Sequence, residues 1–215
     1  FDILYKFVED PTTNTLWACT REGICYLDED QPQAGWSKYT QIGNNRLIYC
    51  NDISTDGAGN IWLCTQNDGV LQITPPSLFK QWYLGNLQNA PTINYVNAIL
   101  TTDGKWFWLG LNPYGIALYN RDTGDTYYNK GIPGFGKLSS YTLTTSITSI
   151  VKRSNDEIWF AVNNYGVIIK PKEKEAFCLD NTNTNYIKEN FVNAVFESKD
   201  KTMWIGSRNG MSIVY

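Results

Sequence analysis

Tryptophan recurs along this chain at a nearly fixed interval, and that interval restricts the fold more than any other feature. Five segments share one pattern: Leu16-Trp17-Ala18-Cys19-Thr20, Ile61-Trp62-Leu63-Cys64-Thr65, Phe107-Trp108-Leu109-Gly110-Leu111, Ile158-Trp159-Phe160-Ala161-Val162 and Met203-Trp204-Ile205-Gly206-Ser207. The Trp-to-Trp spacings are 45, 46, 51 and 45 residues. A glycine follows each Trp by six or seven residues (Gly23, Gly69, Gly115, Gly166 and Gly210) and opens a second apolar run. Another apolar run precedes each Trp: Ile3 to Val8, Asp52 to Ser54, Val96 to Leu100, Ile147 to Val151 and Val192 to Phe196. Turn formers follow it in copies two to five: Asp56-Gly57, Asp103-Gly104, Asn155-Asp156 and Asp200-Lys201. Such pairs tolerate positive φ at low cost. In the first copy Pro11-Thr12-Thr13-Asn14 takes this place and adds one residue. An aromatic-rich fourth segment completes four repeats: Trp36 to Tyr39, Leu78 to Tyr83, Thr126 to Tyr128 and Ala176 to Leu179.

Four short strands per repeat of this length are the signature of one propeller blade. No stretch sustains a 3.6-residue apolar period, so helix is expected to be nearly absent. The predicted fold class is all-β, a β-propeller with five four-stranded blade repeats. The approximate blades are residues 1–40, 41–84, 85–130, 131–180 and 181–215, the last without its fourth strand. The Trp interval exceeds one fifth of the 215 residues, which predicts an arc of a larger ring rather than a closed ring of five.

Composition then removes whole classes of chemistry. There is no histidine, so Ser-His-Asp and Cys-His nucleophile pairs, His-based zinc sites and a His general base are all excluded. Eighteen Lys and Arg face 21 Asp and Glu, for a net charge of −3. That balance argues against a nucleic-acid groove or an anionic membrane surface, which call for clustered cations. The five cysteines form no Cys-x-x-Cys pair. Cys19 and Cys64 occupy the position two residues past Trp, where the other copies hold Gly110, Ala161 and Gly206. They read as small packing residues. No run of 18 apolar residues exists to span a membrane.

Strands ordered outward from an axis would place two sets of loops on one face. The first set supplies the candidate ligand-binding residues Arg21, Asn67, Asn112, Tyr114, Asn164, Tyr165, Arg208 and Asn209. The second contains Arg46, Tyr49, Tyr95, Tyr141 and Tyr186. Asn and Arg offer the paired donors and acceptors that sugar hydroxyls need, and Tyr offers a ring face. The competing reading is ordinary turn chemistry, since Asn before Gly suits a tight hairpin. Trp106 lies off the repeat position and is a second candidate stacking surface. A polar residue eleven before Trp (Asn51, Asn97, Thr148 and Asn193) would bond a loop or a neighbouring blade, or else ring a central channel. The acidic residues Asp56, Asp103, Asp156 and Asp200 sit in turns of the opposite face. No paired carboxylates of the glycosidase kind, calcium-loop pattern or phosphate loop accompanies them. No catalytic residue, metal or cofactor is therefore expected.

The stretches Val192 to Tyr215, Asn51 to Ile73 and Val96 to Tyr119, and less clearly the other two copies, resemble the two-component regulator propeller repeat. That resemblance implies two seven-bladed propellers in the sensor region of a hybrid two-component system of gut Bacteroidetes. It implies a place on the periplasmic side of the inner membrane within a membrane-anchored protein. The membrane segment, histidine kinase and DNA-binding domain would lie outside this sequence. An oligosaccharide released from glycans would be the ligand, and the full-length sensor would be a homodimer. A structural module of a secretion system is the alternative that the same repeat allows.

Overall fold

The structure, a computed structural model, describes residues 3–10, 12–42, 45–46, 49–56, 58–74, 78–82, 95–101, 103–138 and 145–215. The first sheet comprises β1 (Leu4–Asp10), β2 (Thr15–Thr20), β3 (Gly23–Asp28) and β4 (Ser37–Tyr39). A two-stranded hairpin follows, β5 (Gln41–Ile42) and β6 (Asn45–Arg46). The second sheet comprises β7 (Cys50–Thr55), β8 (Ile61–Thr65), β9 (Val70–Thr74) and β10 (Leu78–Trp82). The third holds β11 (Val96–Leu100), β12 (Trp106–Leu111), β13 (Gly115–Asn120) and β14 (Thr126–Tyr128). The fourth holds β15 (Ile147–Lys152), β16 (Ile158–Val162), β17 (Gly166–Lys170) and β18 (Phe177–Leu179). The fifth has three strands, β19 (Val192–Glu197), β20 (Met203–Ser207) and β21 (Gly210–Val214). In every sheet the strands neighbour one another in chain order. Helical structure among the described residues amounts to 3-10 turns such as Pro32–Ala34 and Asn129–Gly131, and no helix there is long and apolar enough to cross a membrane.

The five repeats read from tryptophan are thus five sheets. Their backbone contacts group into two compact units: Phe1–Phe107 with Asn120–Gly124, and Trp108–Tyr119 with Asp125–Tyr215. The division falls inside the third sheet rather than between repeats. The tryptophan period carries no sign of it, because the period records strands and not how densely they pack.

The first strand of four sheets carries a β-bulge at one equivalent place. The register jumps from Leu4 to Lys6, Cys50 to Asp52, Ile147 to Ser149 and Val192 to Ala194. Tyr5, Asn51, Thr148 and Asn193 are left unpaired there, and a bulge of this kind turns the freed side chain away from its own ladder. Asn51 Nδ2 donates to the Val96 carbonyl at 2.8 Å, and Thr148 Oγ1 donates to the Val192 carbonyl at 3.0 Å. The residue after the bulge accepts in return: Ile99 N donates to Asp52 Oδ2 at 2.9 Å, and Val195 N to Ser149 Oγ at 3.5 Å. At Asn51 and Thr148 the polar position eleven residues before Trp therefore ties one sheet's first strand to the next. Between sheets 1 and 2 the Lys6 ammonium takes part as well, 2.6 Å from Asp52 Oδ1.

Apolar burial completes each union. In the first unit Trp17, Cys19 and Ile24 of sheet 1 share a core with Cys50, Ile53 and Leu63 of sheet 2. In the second, Trp159, Ala161, Val167 and Ile169 of sheet 4 do so with Val192, Val195 and Ile205 of sheet 5. Burying one large apolar side chain stabilises by about 1.5–3 kcal/mol, so these shared cores outweigh the ties that set their register. Three Trp indoles find an acceptor in or beside the preceding turn: Trp62 on Asp56 at 2.8 Å, Trp159 on Glu157 at 3.1 Å and Trp204 on Ser198 at 3.2 Å. Trp17 Nε1 is buried without one. In that copy Asp10 is spent on Thr12 and Thr13, which build the lengthened turn.

The glycines after Trp take positive φ in all five copies, from 70° at Gly69 to 145° at Gly210. At Gly166, with φ 86°, an added Cβ would also collide with the Leu179 backbone carbonyl. Gly124 has a similar φ of 78° but open space around it. Replacing Gly166 by Ala is expected to cost more than about 2 kcal/mol, and Gly124→Ala about 1 kcal/mol. Urea midpoints at constant slope measure the difference.

All five cysteines are free thiols, four of them buried. Burial pushes Cys50 and Cys178 up to about 12 and raises Cys19 and Cys64 well above the ordinary thiol value. These thiols stay protonated in the fold, so the stability they allow is present below the unfolded value of 9.0 and is lost as pH rises towards 12. Ellman's reagent at pH 8 is expected to find the full five thiols only after unfolding, and the urea midpoint should fall between pH 8 and pH 11.

Candidate functional site

Short backbone bonds stitch the loops at one edge of each unit into a row. In the second unit Gly115 N bonds the Thr145 carbonyl at 3.0 Å, and Asn163 N bonds the Ser146 carbonyl at 3.0 Å. Gly166 N bonds the Asn190 carbonyl at 2.9 Å, and Arg208 N bonds the Phe191 carbonyl at 3.1 Å. The hairpins of sheets 3 and 4 are thereby fastened to the segments that enter the next sheet, and those of sheets 4 and 5 to the segments that enter their own. The first unit repeats the device, with Tyr49 N on the Arg21 carbonyl at 2.7 Å and Gln66 N on the Tyr49 carbonyl at 3.1 Å. The two loop sets inferred from sequence thus adjoin within each unit.

The side chains divide into those that hold the row together and those that face water. Asn112 Oδ1 accepts from Ser146 Oγ at 2.5 Å. Asn209 is gripped at both ends by Glu189, whose carboxylate receives its backbone N–H at 2.8 Å and its side-chain amide at 3.1 Å. Asn164 adopts φ 67°, a left-handed turn conformation that Asn tolerates better than most residues. These three asparagines have a structural task. Tyr114 and Tyr165 hold their backbones fast, through Asn129 Nδ2 on the Tyr114 carbonyl at 3.1 Å and Cys178 Sγ on the Tyr165 carbonyl at 3.1 Å. Their rings remain exposed. Arg208 is exposed too, with its guanidinium 5.7 Å from the centre of the Phe191 ring, close enough for a cation–π contact. The second unit therefore brings Asn112, Tyr114, Asn164, Tyr165, Arg208 and Asn209 to one edge, with Tyr114, Tyr165 and Arg208 available to a ligand.

In the first unit Arg21 lies over the Tyr49 ring at 5.4 Å, with Nη2 3.4 Å from its hydroxyl. Asn67 is exposed in the neighbouring turn. Tyr186, from the second loop set, is exposed beside the segment leading into sheet 5. Tyr141, the stretch 85–94 and the side chain of Arg46 lie outside the described residues. Trp106 is half-buried.

Two supports of the row were not legible in the sequence. Glu189 clamps Asn209 from 20 residues away, a pairing with no local signal in the chain. Asp180 caps the same loop, taking the Thr182 hydroxyl and backbone N–H and the Asn183 N–H. These bonds, the Thr182 hydroxyl first, hold its carboxyl below the usual range.

The carboxylates of the opposite turns are occupied. Asp56 accepts from Ala58 N, Asn60 N and Trp62 Nε1. Asp156 lies between Lys152 at 2.7 Å and Lys172 at 3.1 Å. Asp200 binds Ser198 and Thr202, and Asp103 the backbone of Lys105 and Trp106. Asp56, Asp103 and Asp200 are committed to shaping their own turns, and Asp156 to its two lysines. Among the described residues no group of three or more His, Cys, Asp or Glu could hold a metal ion.

Comparison with known proteins gives this edge a context. The two component regulator propeller family matches residues 186–209, the stretch carrying Tyr186, Glu189, Trp204 and Arg208. No curated protein matches the chain. Among solved structures, the extracellular domain of a putative hybrid two component system from B. thetaiotaomicron superposes with a TM-score of 0.74 at 17% identity. The match covers 98% of this chain and 27% of that one. PorZ, a surface component of the type-IX secretion system of Porphyromonas gingivalis, gives 0.70 at 14% identity, over 98% of this chain and 31% of PorZ. The WD40 β-propeller domain of Doa1 gives 0.61 at 15% identity, over 93% of this chain and 59% of that one. This chain spans about a quarter to a third of the length of the first two. The chain has the β-propeller fold, and its residues 186–209 match the two component regulator propeller repeat.

Proposed function

We propose that this chain is a non-catalytic, ligand-binding part of the extracytoplasmic sensor of a hybrid two-component regulator, and that its ligand is a glycan-derived oligosaccharide. One observation carries the reading: in the second unit, Tyr114, Tyr165 and Arg208 stand exposed on a row of loops locked by Asn112, Ser146, Asn190 and Glu189. A locked row loses little entropy on binding, and exposed aromatic rings flanked by donors suit sugar rings and hydroxyls. The commitment of Asp56, Asp103 and Asp200 to turn shaping, and of Asp156 to Lys152 and Lys172, supports a role without catalysis. The match at residues 186–209 and the likeness to an extracellular sensor domain support the regulator assignment.

In this reading the segment is an arc of a larger propeller. It lies on the periplasmic side of the inner membrane, anchored through polypeptide outside this sequence, and works within a homodimer. Ligand would signal by favouring one arrangement of the sensor over another through differential affinity. The likeness to PorZ favours a second reading, an assembly module whose loop edge meets a protein.

Calorimetric titration of the full sensor region against a panel of oligosaccharides tests both. Binding of at least one saccharide is expected, weakened about tenfold by Arg208→Ala and by Tyr165→Ala, with Lys172→Ala on the opposite turns without effect. No binding across the panel, together with a stable protein partner, would establish the assembly reading instead.

A further inference from the structure

Sheet 1 departs from the repeat at its bulge. In sheets 2 and 4 the bulged residues Asn51 and Thr148 are short and polar, and each is spent on the next sheet. The bulged residue of sheet 1 is Tyr5, between Leu4 and Lys6. Its side chain makes no such tie among the described residues and is 44% exposed. A position that breaks the rule its counterparts keep is where a functional site is expected.

Polar aromatic groups converge on Tyr5 from three sheets of the first unit. Its phenol lies within electrostatic reach of Arg21, Tyr95 and Tyr49. Arg21 opens the hairpin of sheet 1, while Tyr49 and Tyr95 hold one equivalent position, just before the first strands of sheets 2 and 3. The Arg21 guanidinium stands 5.4 Å from the centre of the Tyr49 ring, with Nη2 3.4 Å from its hydroxyl. The Arg21 backbone is fastened on both sides, donating to the Ile3 carbonyl at 3.0 Å and accepting from Tyr49 N at 2.7 Å. The Tyr49 carbonyl accepts from Gln66 N at 3.1 Å, which brings the hairpin carrying the exposed Asn67 alongside. Tyr49 takes φ 53°, a left-handed conformation that is an outlier for a bulky residue. Strain of this kind collects at ligand clamps. Glu22, the acid next to Arg21, is held by Lys38 at 2.7 Å.

We propose that Tyr5, Arg21, Tyr49 and Tyr95 form a second ligand site, made of other residues than the Tyr114–Tyr165–Arg208 row, and that it takes an acidic sugar, a pyranose ring bearing a carboxylate or sulfate. The guanidinium and the phenols supply N–H and O–H donors, and hydrogen bonds from such donors to an oxyanion are the strong ones. Burial, more than its neighbours, raises the Tyr5 phenol above its ordinary value, so it keeps its proton and donates. The exposed Tyr5 ring offers a face to the pyranose, and the Asn67 amide offers a donor and an acceptor to its hydroxyls. A neutral sugar would leave the oxyanion donors unpaired, which is the basis of discrimination. The proposal rests on the saccharide reading for the class of ligand, but on residues of the other unit for the site.

Calorimetric titration of the full sensor region with glucuronate, glucose 6-sulfate and glucose tests it. At least one of the two acidic sugars should bind about tenfold more tightly than glucose. Arg21→Gln should remove that preference. Tyr5→Phe keeps the ring and loses the hydroxyl, and should weaken the acidic sugar about tenfold. Both side chains are exposed, and circular dichroism and urea midpoints unchanged from the parent establish that the variants fold. Lys172→Ala should have no effect. Equal affinity for glucose and the acidic sugars, a preference that survives Arg21→Gln, or no binding of either acidic sugar would overturn the proposal. The test of the loop row reads Arg208 and Tyr165 instead. An Arg21-dependent preference found where no oligosaccharide needs Arg208 or Tyr165 would support this site and overturn the loop row alone.

Discussion

A single bulged residue in the first strand of four of the sheets governs how these sheets associate. The strand beside a neighbouring sheet has an edge of backbone groups that its own ladder cannot satisfy, and such edges invite wrong pairings. The bulge frees Asn51 to bond the Val96 carbonyl and Thr148 to bond the Val192 carbonyl, while Asp52 and Ser149 accept from Ile99 and Val195. Each tie contributes only about 1 kcal/mol. Its effect is on register, because both donor and acceptor must be met at once. The larger stabilisation comes from the apolar surface that the tie aligns, Trp17 with Ile53 in one unit and Trp159 with Val195 in the other.

The same arrangement produces two unlike ends. Turns leading into the Trp strands are rich in Asp, and their carboxylates are used up on backbone N–H groups, indoles and lysines. Hairpins leaving the Trp strands end in glycines with positive φ, and are stitched through backbone groups to the segments that enter their own or the next sheet. Side chains such as Tyr114, Tyr165 and Arg208 are therefore not needed to hold the chain together. A scaffold of this kind leaves the identity of those loops free to vary while their spacing stays fixed, which is the property a sensor or a docking surface requires.

Much of this was legible because it is local. The Trp period marks the second strand of each sheet, the glycine six or seven residues later marks the hairpin, and Cys19 and Cys64 are small because each faces the residue just past the bulge. What was not legible depends on distant partners. Asn112 meets Ser146 34 residues away, and Asn209 meets Glu189 20 residues away, so neither could be sorted from a free asparagine by its neighbours in sequence. The bulge itself leaves no mark beyond a polar residue eleven before Trp. The β5–β6 hairpin, pairing Gln41 with Arg46 and Ile42 with Asn45, is too short to show a period at all.

The central claim is that the stitched loop edge, and not the turn edge, meets the ligand. Hydrogen–deuterium exchange of the full sensor region, with and without a saccharide it binds, tests that claim most directly. The account predicts slowed exchange at 112–114, 163–165 and 208–209, with 154–157 and 198–202 unchanged. Protection confined to the turns at 154–157 and 198–202, or absent from every hairpin, would contradict it.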